Sequence, residues 1–274
     1  MLHTWKAQRL EKILTTGRTK PLVIECEYVS SQAFGDNNEQ APKPSERRLF
    51  VVKSPGHPDV TDQGLFSELF GNLLGRQLGL KTPEPALVTL NQAFVEATKP
   101  SVVGNNINLS PGQGVGCEYL ARGLTSVVPW VDLPNTQIQQ AVILYAFDLL
   151  VQNPDRRPNK VNCAIHSGDL IAFDFELCFS FLYPLLGKQL VPWEVSTHGI
   201  APQHLFYPVL RKNQHIDWKP FIERLQSLTE HHFDQLAQVL VPNWQDFAER
   251  VRTHVFEVIL HAPQFEMELQ RSLL

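Results

Sequence analysis

The chain of 274 residues lacks the features that mark several large classes of protein. Its longest apolar run, residues 141–151, is too short to cross a membrane and contains Asp148. The amino terminus has scattered charges and no apolar segment, which argues against a secretory signal. Lys and Arg total 24 against 28 Asp and Glu, so no basic excess indicates nucleic-acid binding. We therefore expect no membrane segment and no direct contact with nucleic acid.

Cysteine is scarce, and the common glycine-rich phosphate motifs are missing. The four cysteines lie far apart, without CxxC spacing or a histidine cluster suited to zinc. Each lies in an apolar stretch, as buried free thiols do, so we expect a reduced cytoplasmic protein. Neither GxxxxGK[S/T] nor GxGxxG occurs, which excludes the usual forms of these two nucleotide-binding loops.

The hydrophobic pattern changes near residue 120. Before that point the pattern predicts mostly strands, over residues 21–28, 49–53, 86–90, 93–97 and 117–120, with one amphipathic helix over 65–80. After it the pattern predicts a hairpin across 163–173 and helices over residues 136–152, 202–209, 218–228, 230–240 and 244–260. We therefore predict an α+β fold with a strand-rich lobe, residues 1–120, and a helical lobe, residues 121–274.

A lysine and a glutamate in the first part form one candidate pair. Lys53 ends an apolar strand, and Glu68 lies in the helix that follows. Such a pair can hold an ammonium group where it reaches nucleotide phosphates. Taken alone, Lys53 fits a solvated strand end better, and Glu68 fits a solvated residue in a first helical turn better.

A second group of polar residues follows the central apolar helix. Asp155 lies in a polar loop, Asn162 precedes the predicted hairpin, and Asp174 closes it between apolar residues. A carboxylate in such surroundings is costly to bury without a cation or hydrogen bonds. Amide and carboxylate oxygens are ligands that Mg²⁺ prefers. An Asp, an Asn and a second Asp in this order, after a Lys and a Glu, are typical of a phosphotransferase.

Together these segments resemble the HipA-like kinase family, in particular its compact members. The family is related in fold to the phosphatidylinositol 3/4-kinases and, more distantly, to protein kinases. The resemblance spans roughly residues 20–200 and rests on Phe50–Lys53, Ser67–Leu69, Leu78–Pro85, Asn153–Asn162 and Phe173–Asp174. It implies a two-lobed, protein-kinase-like fold with ATP and Mg²⁺ in the cleft between the lobes.

The resemblance also implies a role for each matching residue. Lys53 is the expected ATP-phosphate lysine and Glu68 its helix partner. Asp155 is the expected catalytic base, and Arg156 is expected to position the catalytic loop or a phosphate. The remaining expected contacts are Mg²⁺ ligation by Asn162 and Asp174 and adenine contacts from the hinge residues Glu118, Tyr119 and Leu120.

Two departures from the family pattern leave alternatives open. The metal-binding Asn usually follows the catalytic Asp by about five residues, where this chain has Lys160. We prefer Asn162, which directly precedes the hairpin, with Asn159 as the alternative. The expected phosphate loop, residues 30–36, has a single glycine, and its Ser30 and Ser31 are expected to contact phosphate or to be phosphorylated.

The implied activity is transfer of phosphate to a Ser or Thr hydroxyl on a protein, with a toxin-like or stress-related role as in toxin–antitoxin systems. From the resemblance we expect the chain to lack an extra amino-terminal domain of the longer HipA proteins and a small partner protein to supply that part. Two alternatives stay open. One is a pseudokinase that senses nucleotide and regulates a partner, and the other is transfer of AMP, or phosphorylation of a small molecule or lipid, from the same pocket.

Overall fold

The amino-terminal part of the chain forms a closed five-stranded barrel. The computed structural model describes residues 2–15, 17–32, 41–105, 107–129, 131–183, 190–213 and 215–274. The barrel strands are β1 (Leu2–Ile13), β2 (Leu22–Gln32), β3 (Arg47–Lys53), β4 (Pro85–Leu90) and β5 (Gly112–Glu118). Their order around the barrel is β1-β2-β3-β5-β4, in which β1 and β4 are parallel and the other neighbours are antiparallel.

The barrel interior is filled by side chains that alternate along its strands. Trp5 and Phe50 pack with their ring centroids 4.8 Å apart, and Ile24, Val52 and Val88 complete the same buried cluster. The sequence pattern did not predict β1, because charged residues interrupt its apolar positions. The register explains those charges, since only one face of β1 points into the barrel.

Two helices accompany the barrel. Helix α1 (Asp62–Gln77) begins at Thr61, whose hydroxyl accepts a hydrogen bond from the Gly64 amide, at 3.0 Å. Helix α2 (Gln92–Val103) begins at Asn91, whose side chain accepts from the Phe94 amide, at 2.8 Å. The strand predicted over residues 93–97 is therefore wrong. An asparagine cap and a helical apolar face outweigh the short alternation seen in the sequence.

The remaining chain forms a small antiparallel sheet and a set of helices. The sheet has the order β6 (Leu124–Ser126), β7 (Cys163–His166) and β8 (Asp169–Ala172). The α-helices are α3 (Asn135–Leu150), α4 (Tyr207–Arg211), α5 (Lys219–Ser227), α6 (Glu230–Gln238), α7 (Gln245–Leu260) and α8 (Ala262–Arg271). The predicted mixture of helices and strands is confirmed, and α8 is an addition to it. In the described ranges, no helix is both long enough and apolar enough to cross a membrane.

Helix α1 packs against the later helices as well as the barrel. Phe70 lies 5.9 Å from Phe179 and 6.3 Å from Phe233 between ring centroids, and Phe66 belongs to the same cluster. Helix α3 runs through this larger core and is buried along most of its length. The two packed regions therefore approach each other around α1, β3 and β5, and the polar residues singled out in the sequence lie there.

Candidate functional site

A cavity of about 660 Å³ lies where the barrel meets the second sheet. One part of its wall is apolar, and the other carries charged side chains. The apolar residues include Leu14, Val51, Val115, Leu120 and Phe173. The charged and amide residues include Lys53, Glu68, Asp155, Lys160, Asn162, Asp174 and Glu176. Residues from both sequence groups thus line a single cavity, although 87 to 121 positions of the chain separate them.

Lys53 lies at the centre of the charged part. It ends β3 beside Val115 of β5, and only 7% of its surface is exposed. Its Nζ atom lies 2.7 Å from Glu68 Oε2, 2.6 Å from Asp174 Oδ1 and 2.9 Å from Glu176 Oε2. The predicted Lys53–Glu68 pair is therefore present in the structure, and two further carboxylates contact the same ammonium group.

These contacts determine the charge states of the group. Burial by itself lowers the pKa of Lys53, but the three carboxylates outweigh it and hold that pKa well above its ordinary value. Burial raises the pKa of Glu68, and Lys53 offsets only part of the rise. Burial would also raise the pKa of Asp174, but Lys53 and Lys160 lower it below its ordinary value. At neutral pH the cluster thus holds a charged Lys53 and an ionised Asp174.

The loop after α3 brings Asp155 and Asn162 together. Asp155 is buried, and its Oδ2 atom accepts a hydrogen bond from Asn162 Nδ2 at 3.0 Å and forms an ion pair with Lys160 Nζ at 2.5 Å. Its own amide donates to Asn153 Oδ1 at 3.1 Å. Asp155 is therefore fixed at the cavity wall, beside a cation that lies only 3.9 Å from Asp174 Oδ2.

The structure separates the two candidate metal-binding asparagines. Arg157 and Lys160 exchange backbone hydrogen bonds of 3.0 and 2.9 Å, so Asn159 lies at the exposed tip of a two-residue turn. Asn162 lines the cavity with Asp174, and both have positive φ angles, of 47° and 60°. This geometry favours Asn162 over Asn159 as the residue that faces a ligand in the cavity.

Oxygen atoms suited to Mg²⁺ remain available on these two residues. Asn162 uses its Nδ2 to contact Asp155, and Asp174 uses its Oδ1 to contact Lys53. One amide oxygen and one carboxylate oxygen are left, which is a ligand set that Mg²⁺ accepts when phosphates and waters complete the shell. Among the described residues, no group of three or more His, Cys, Asp or Glu side chains could hold a metal without such help.

Arg156 lies behind the cavity, in a sealed cluster with Asp148, a residue of α3. Its Nε donates to Asp148 Oδ2 at 2.6 Å, and its Nη1 donates to the carbonyl oxygens of Asn162 and Phe173. Arg156 is 1% exposed and absent from the cavity wall, so it is not placed to contact a phosphate there. It instead joins the Asp155 loop to the segment that precedes Asp174.

The sealed cluster also contains His204 and Asn153, which the sequence pattern did not single out. His204 Nδ1 accepts from the Phe206 amide at 3.1 Å, so its Nε2–H donates to Asp148 Oδ2, at 2.9 Å. Burial lowers the pKa of His204, and the imidazole is neutral. Burial would raise the pKa of Asp148, but Arg156 and His204 hold it below its ordinary value. A lone Asp in an otherwise apolar helix was the available signal for this cluster.

The prediction that Ser30 and Ser31 lie in a phosphate loop is wrong, because both residues lie in a strand. Both residues belong to β2, where they pair with β1, and Ser31 Oγ bonds to His3 and Tyr28. Ser30 and Ser31 lie eight and nine positions after Leu22 along β2, a distance of roughly 25–30 Å at about 3.3 Å per residue. Neither residue lines the cavity. Residues 33–36 of that expected loop lie outside the described residues.

The turn between β1 and β2 lines the cavity instead. Gly17, Arg18 and Thr19 form part of its wall, and Leu14 and Pro21 close the turn with a 2.9 Å hydrogen bond. Gly17 has a φ angle of 90°, which glycine adopts without strain. The sequence analysis missed this turn because it did not predict β1, and a turn cannot be recognised when one of its strands is unknown.

The three expected hinge residues line the apolar side of the cavity. The Glu118 amide donates to the Glu84 carbonyl and the Tyr119 amide to the Leu49 carbonyl, each at 2.8 Å. The Leu120 amide donates no backbone hydrogen bond within the part of the chain that the structure describes. A flat ligand between the apolar walls would find a free donor only at Leu120 among these three amides.

Among the comparisons with known proteins, the family model shows the family of the chain. No curated protein matches the chain. A solved structure of a Helicobacter pylori proinflammatory kinase, CtkA, aligns over 95% of this chain and 96% of its own, with 14% identity and a TM-score of 0.43. The family model for HipA-like kinases matches residues 41–183, which is just over half of the chain and contains every charged residue of the cavity named above except those in the β1–β2 turn. The protein therefore belongs to the HipA-like kinase family.

Proposed function

We propose that the protein is an ATP- and Mg²⁺-dependent phosphotransferase that acts on a Ser or Thr hydroxyl of another protein. Membership of the HipA-like kinase family supports a kinase-type transfer. The observation that carries the proposal is the convergence of Lys53, Glu68, Asp155, Asn162 and Asp174 on one cavity. The proposal includes a two-lobed, kinase-like layout, with residues 1–120 and 121–274 on the two sides of the cleft.

The charged part of the cavity supplies the phosphate contacts. Lys53, oriented by its 2.7 Å contact with Glu68, neutralises the phosphate tail. Asn162 and Asp174 hold Mg²⁺, which supplies charge neutralisation on the phosphate oxygens when it is bound. The β1–β2 turn, rather than Ser30 and Ser31, covers the phosphates, and the Leu120 amide meets the base.

Asp155 orients the acceptor hydroxyl and accepts its proton. The Asp155 carboxylate accepts a hydrogen bond from Asn162, and its backbone amide donates one to Asn153 Oδ1, so little reorganisation is needed when an acceptor arrives. Lys160 forms an ion pair with Asp155 Oδ2, and its side chain is partly exposed and lies near Asp174. The Lys160 side chain can therefore turn toward a phosphate. That movement frees the carboxylate for the hydroxyl.

The deciding experiment is incubation of the purified protein with Mg²⁺ and γ-labelled ATP, beside an Asp155→Asn control. We expect label on protein, or loss of ATP, that disappears in the control. Product mass distinguishes addition of phosphate from addition of AMP. A wild-type protein that binds ATP but consumes none and labels nothing, with candidate acceptor proteins present, would contradict the proposal.

One observation favours a second candidate, a nucleotide-sensing pseudokinase. The cations Lys160 and Arg157 lie 2.5 and 3.8 Å from the Asp155 carboxylate, so the proposed base is paired in this structure. A protein that keeps this pairing with nucleotide bound would bind ATP without transfer. The cytoplasmic location, the toxin-like role and the small partner protein stay predictions.

A further inference from the structure

Three carboxylates share the single ammonium group of Lys53. Its Nζ donates hydrogen bonds to Glu68 Oε2 at 2.7 Å and to Asp174 Oδ1 at 2.6 Å, and it forms an ion pair with Glu176 Oε2 at 2.9 Å. Three carboxylate oxygens thus lie within 2.9 Å of Nζ, and a phosphate oxygen that approaches Lys53 competes with them for a place that one carboxylate must leave. The identity of that carboxylate decides what controls phosphate binding.

Glu68 and Asp174 are each held by something else. Glu68 Oε2 also accepts the Phe175 amide hydrogen bond at 3.0 Å, and the residue is buried on α1. Asp174 lies between Lys53 and Lys160, and the proposed metal site uses its second oxygen. Removing either from Lys53 would break a second interaction.

Glu176 differs from both. Within the described residues it has no hydrogen-bonding or ion-pair partner besides Lys53, and its contact is the longest of the three. Its side chain lines the cavity and is 15% exposed, between 9% for Glu68 and 30% for Asp174. The side chain also lies against Gly64, where an added Cβ would come within 3.2 Å of Glu176 Cγ. Gly64 is in the first turn of α1, where the helix dipole favours a carboxylate, so Glu176 keeps a favourable environment after it leaves Lys53.

We infer that Glu176 occupies the place on Lys53 that a nucleotide phosphate takes, and that it lowers nucleotide affinity by competing for this cation. The inference rests on the proposed function, because it needs a phosphate at Lys53. Glu176 thus acts as an internal anion: it keeps Lys53 paired in the empty protein and is displaced when a phosphate arrives. No covalent step is involved.

The test is calorimetric titration of the full chain with the non-hydrolysable ATP analogue AMP-PNP and Mg²⁺. Glu176→Gln removes the competing charge and keeps the shape, and Glu176→Ala removes the whole group. We expect both variants to bind AMP-PNP about tenfold more tightly than the wild type, the factor given by one contact of roughly 1.4 kcal/mol. Glu96→Gln is the matched control and should leave the affinity unchanged, because Glu96 is an exposed residue of α2 whose side chain, within the described residues, accepts a hydrogen bond only from Gln92.

Adenosine is the second probe, because it has no phosphate to reach Lys53. Its affinity should be the same in the wild type and in Glu176→Gln.

Equal or weaker AMP-PNP binding in both Glu176 variants would overturn the inference, and a loss seen only with Mg²⁺ would make Glu176 a metal ligand instead. If the wild type binds AMP-PNP and the Glu176 variants do not differ from it, only this inference fails. If no protein binds AMP-PNP, the proposed function fails and the inference with it.

Discussion

Two polar clusters lie on opposite sides of the segment that carries Asp155 and Asn162, and they are built differently. In the sealed cluster the charges of Asp148 and Arg156 balance, and the side chains of both and of His204 are fully buried. In the open cluster three carboxylates face one Lys53, and Asp174 remains 30% exposed. A balanced, sealed cluster holds backbone in place. An open cluster with excess negative charge can bind a cation together with an anionic ligand of that cation. Mg²⁺ with a nucleotide is such a combination.

The largest expected effect is the loss of turnover when Asp155, which lies at the boundary of the two clusters, is substituted. Asp155→Asn keeps the shape but removes the proposed base, so we expect kcat to fall about 10³-fold, within the range of general base catalysis. The KM for ATP should change little, because Asp155 does not contact Lys53. Steady-state kinetics measure both, and an unchanged kcat would remove Asp155 from the chemistry.

Breaking the sealed cluster should cost stability. Asp148→Asn leaves the Arg156 charge buried without its partner, so we expect the free energy of unfolding to drop by about 3 kcal/mol. Urea denaturation measures this, with Asp169→Asn on the exposed hairpin as the control, for which less than about 1 kcal/mol is expected. Equal effects in the two variants would mean that Asp148 is not a structural anchor.

Substitution of the two asparagines of the loop, one at a time, tests which of them binds Mg²⁺. Asn162→Ala should raise the Mg²⁺ concentration needed for half-maximal nucleotide binding about tenfold, because one of two protein ligands is lost. Asn159→Ala, at the exposed turn, should change it less than twofold, as surface substitutions usually do. The reverse pattern would assign the metal to Asn159 and contradict the geometry.

The smallest effect concerns pH and the sealed cluster. Burial lowers the pKa of His204 below its ordinary value of 6.5, so the unfolded chain binds the proton first as pH falls. Stability is therefore full above pH 6.5 and decreases below it, toward the depressed folded pKa. His204→Gln should make the decrease between pH 6.5 and 5 shallower, although His57, His198 and His254 also have lowered pKa values and contribute. An unchanged slope in urea titrations would show that His204 is not part of this dependence.

The residues of the open cluster could be predicted from the sequence, and those of the sealed cluster mostly could not. Lys53, Glu68, Asp155, Asn162 and Asp174 stand out because each interrupts an apolar or polar pattern in a family-specific order. Glu176 and Lys160 lacked such a signal, since their positions depend on contacts with distant residues. The sealed cluster depends on His204, whose place beside Asp148 is set by the packing of α3 against a turn that lies 56 positions further along the chain.

The fold shows the same division. The long helices α1 and α3 and the hairpin β7–β8 follow from strong local patterns, and the structure has them close to the predicted bounds. Strand β1 and helix α2 were missed because their local patterns are weak and tertiary contacts decide them. Because β1 was not predicted, the β1–β2 turn at the cavity could not be recognised, and the phosphate loop was expected at Ser30 and Ser31.

The central proposal is that Lys53, Asp174 and Asn162 form a site for Mg²⁺ and nucleotide. The most direct measurement is AMP-PNP affinity with and without Mg²⁺, in the wild type and in Asp174→Asn. We predict that Mg²⁺ strengthens binding to the wild type by about tenfold or more, and that this gain is lost in the variant. Binding that does not depend on Mg²⁺ in the wild type, or a gain of equal size in Asp174→Asn, would contradict the claim.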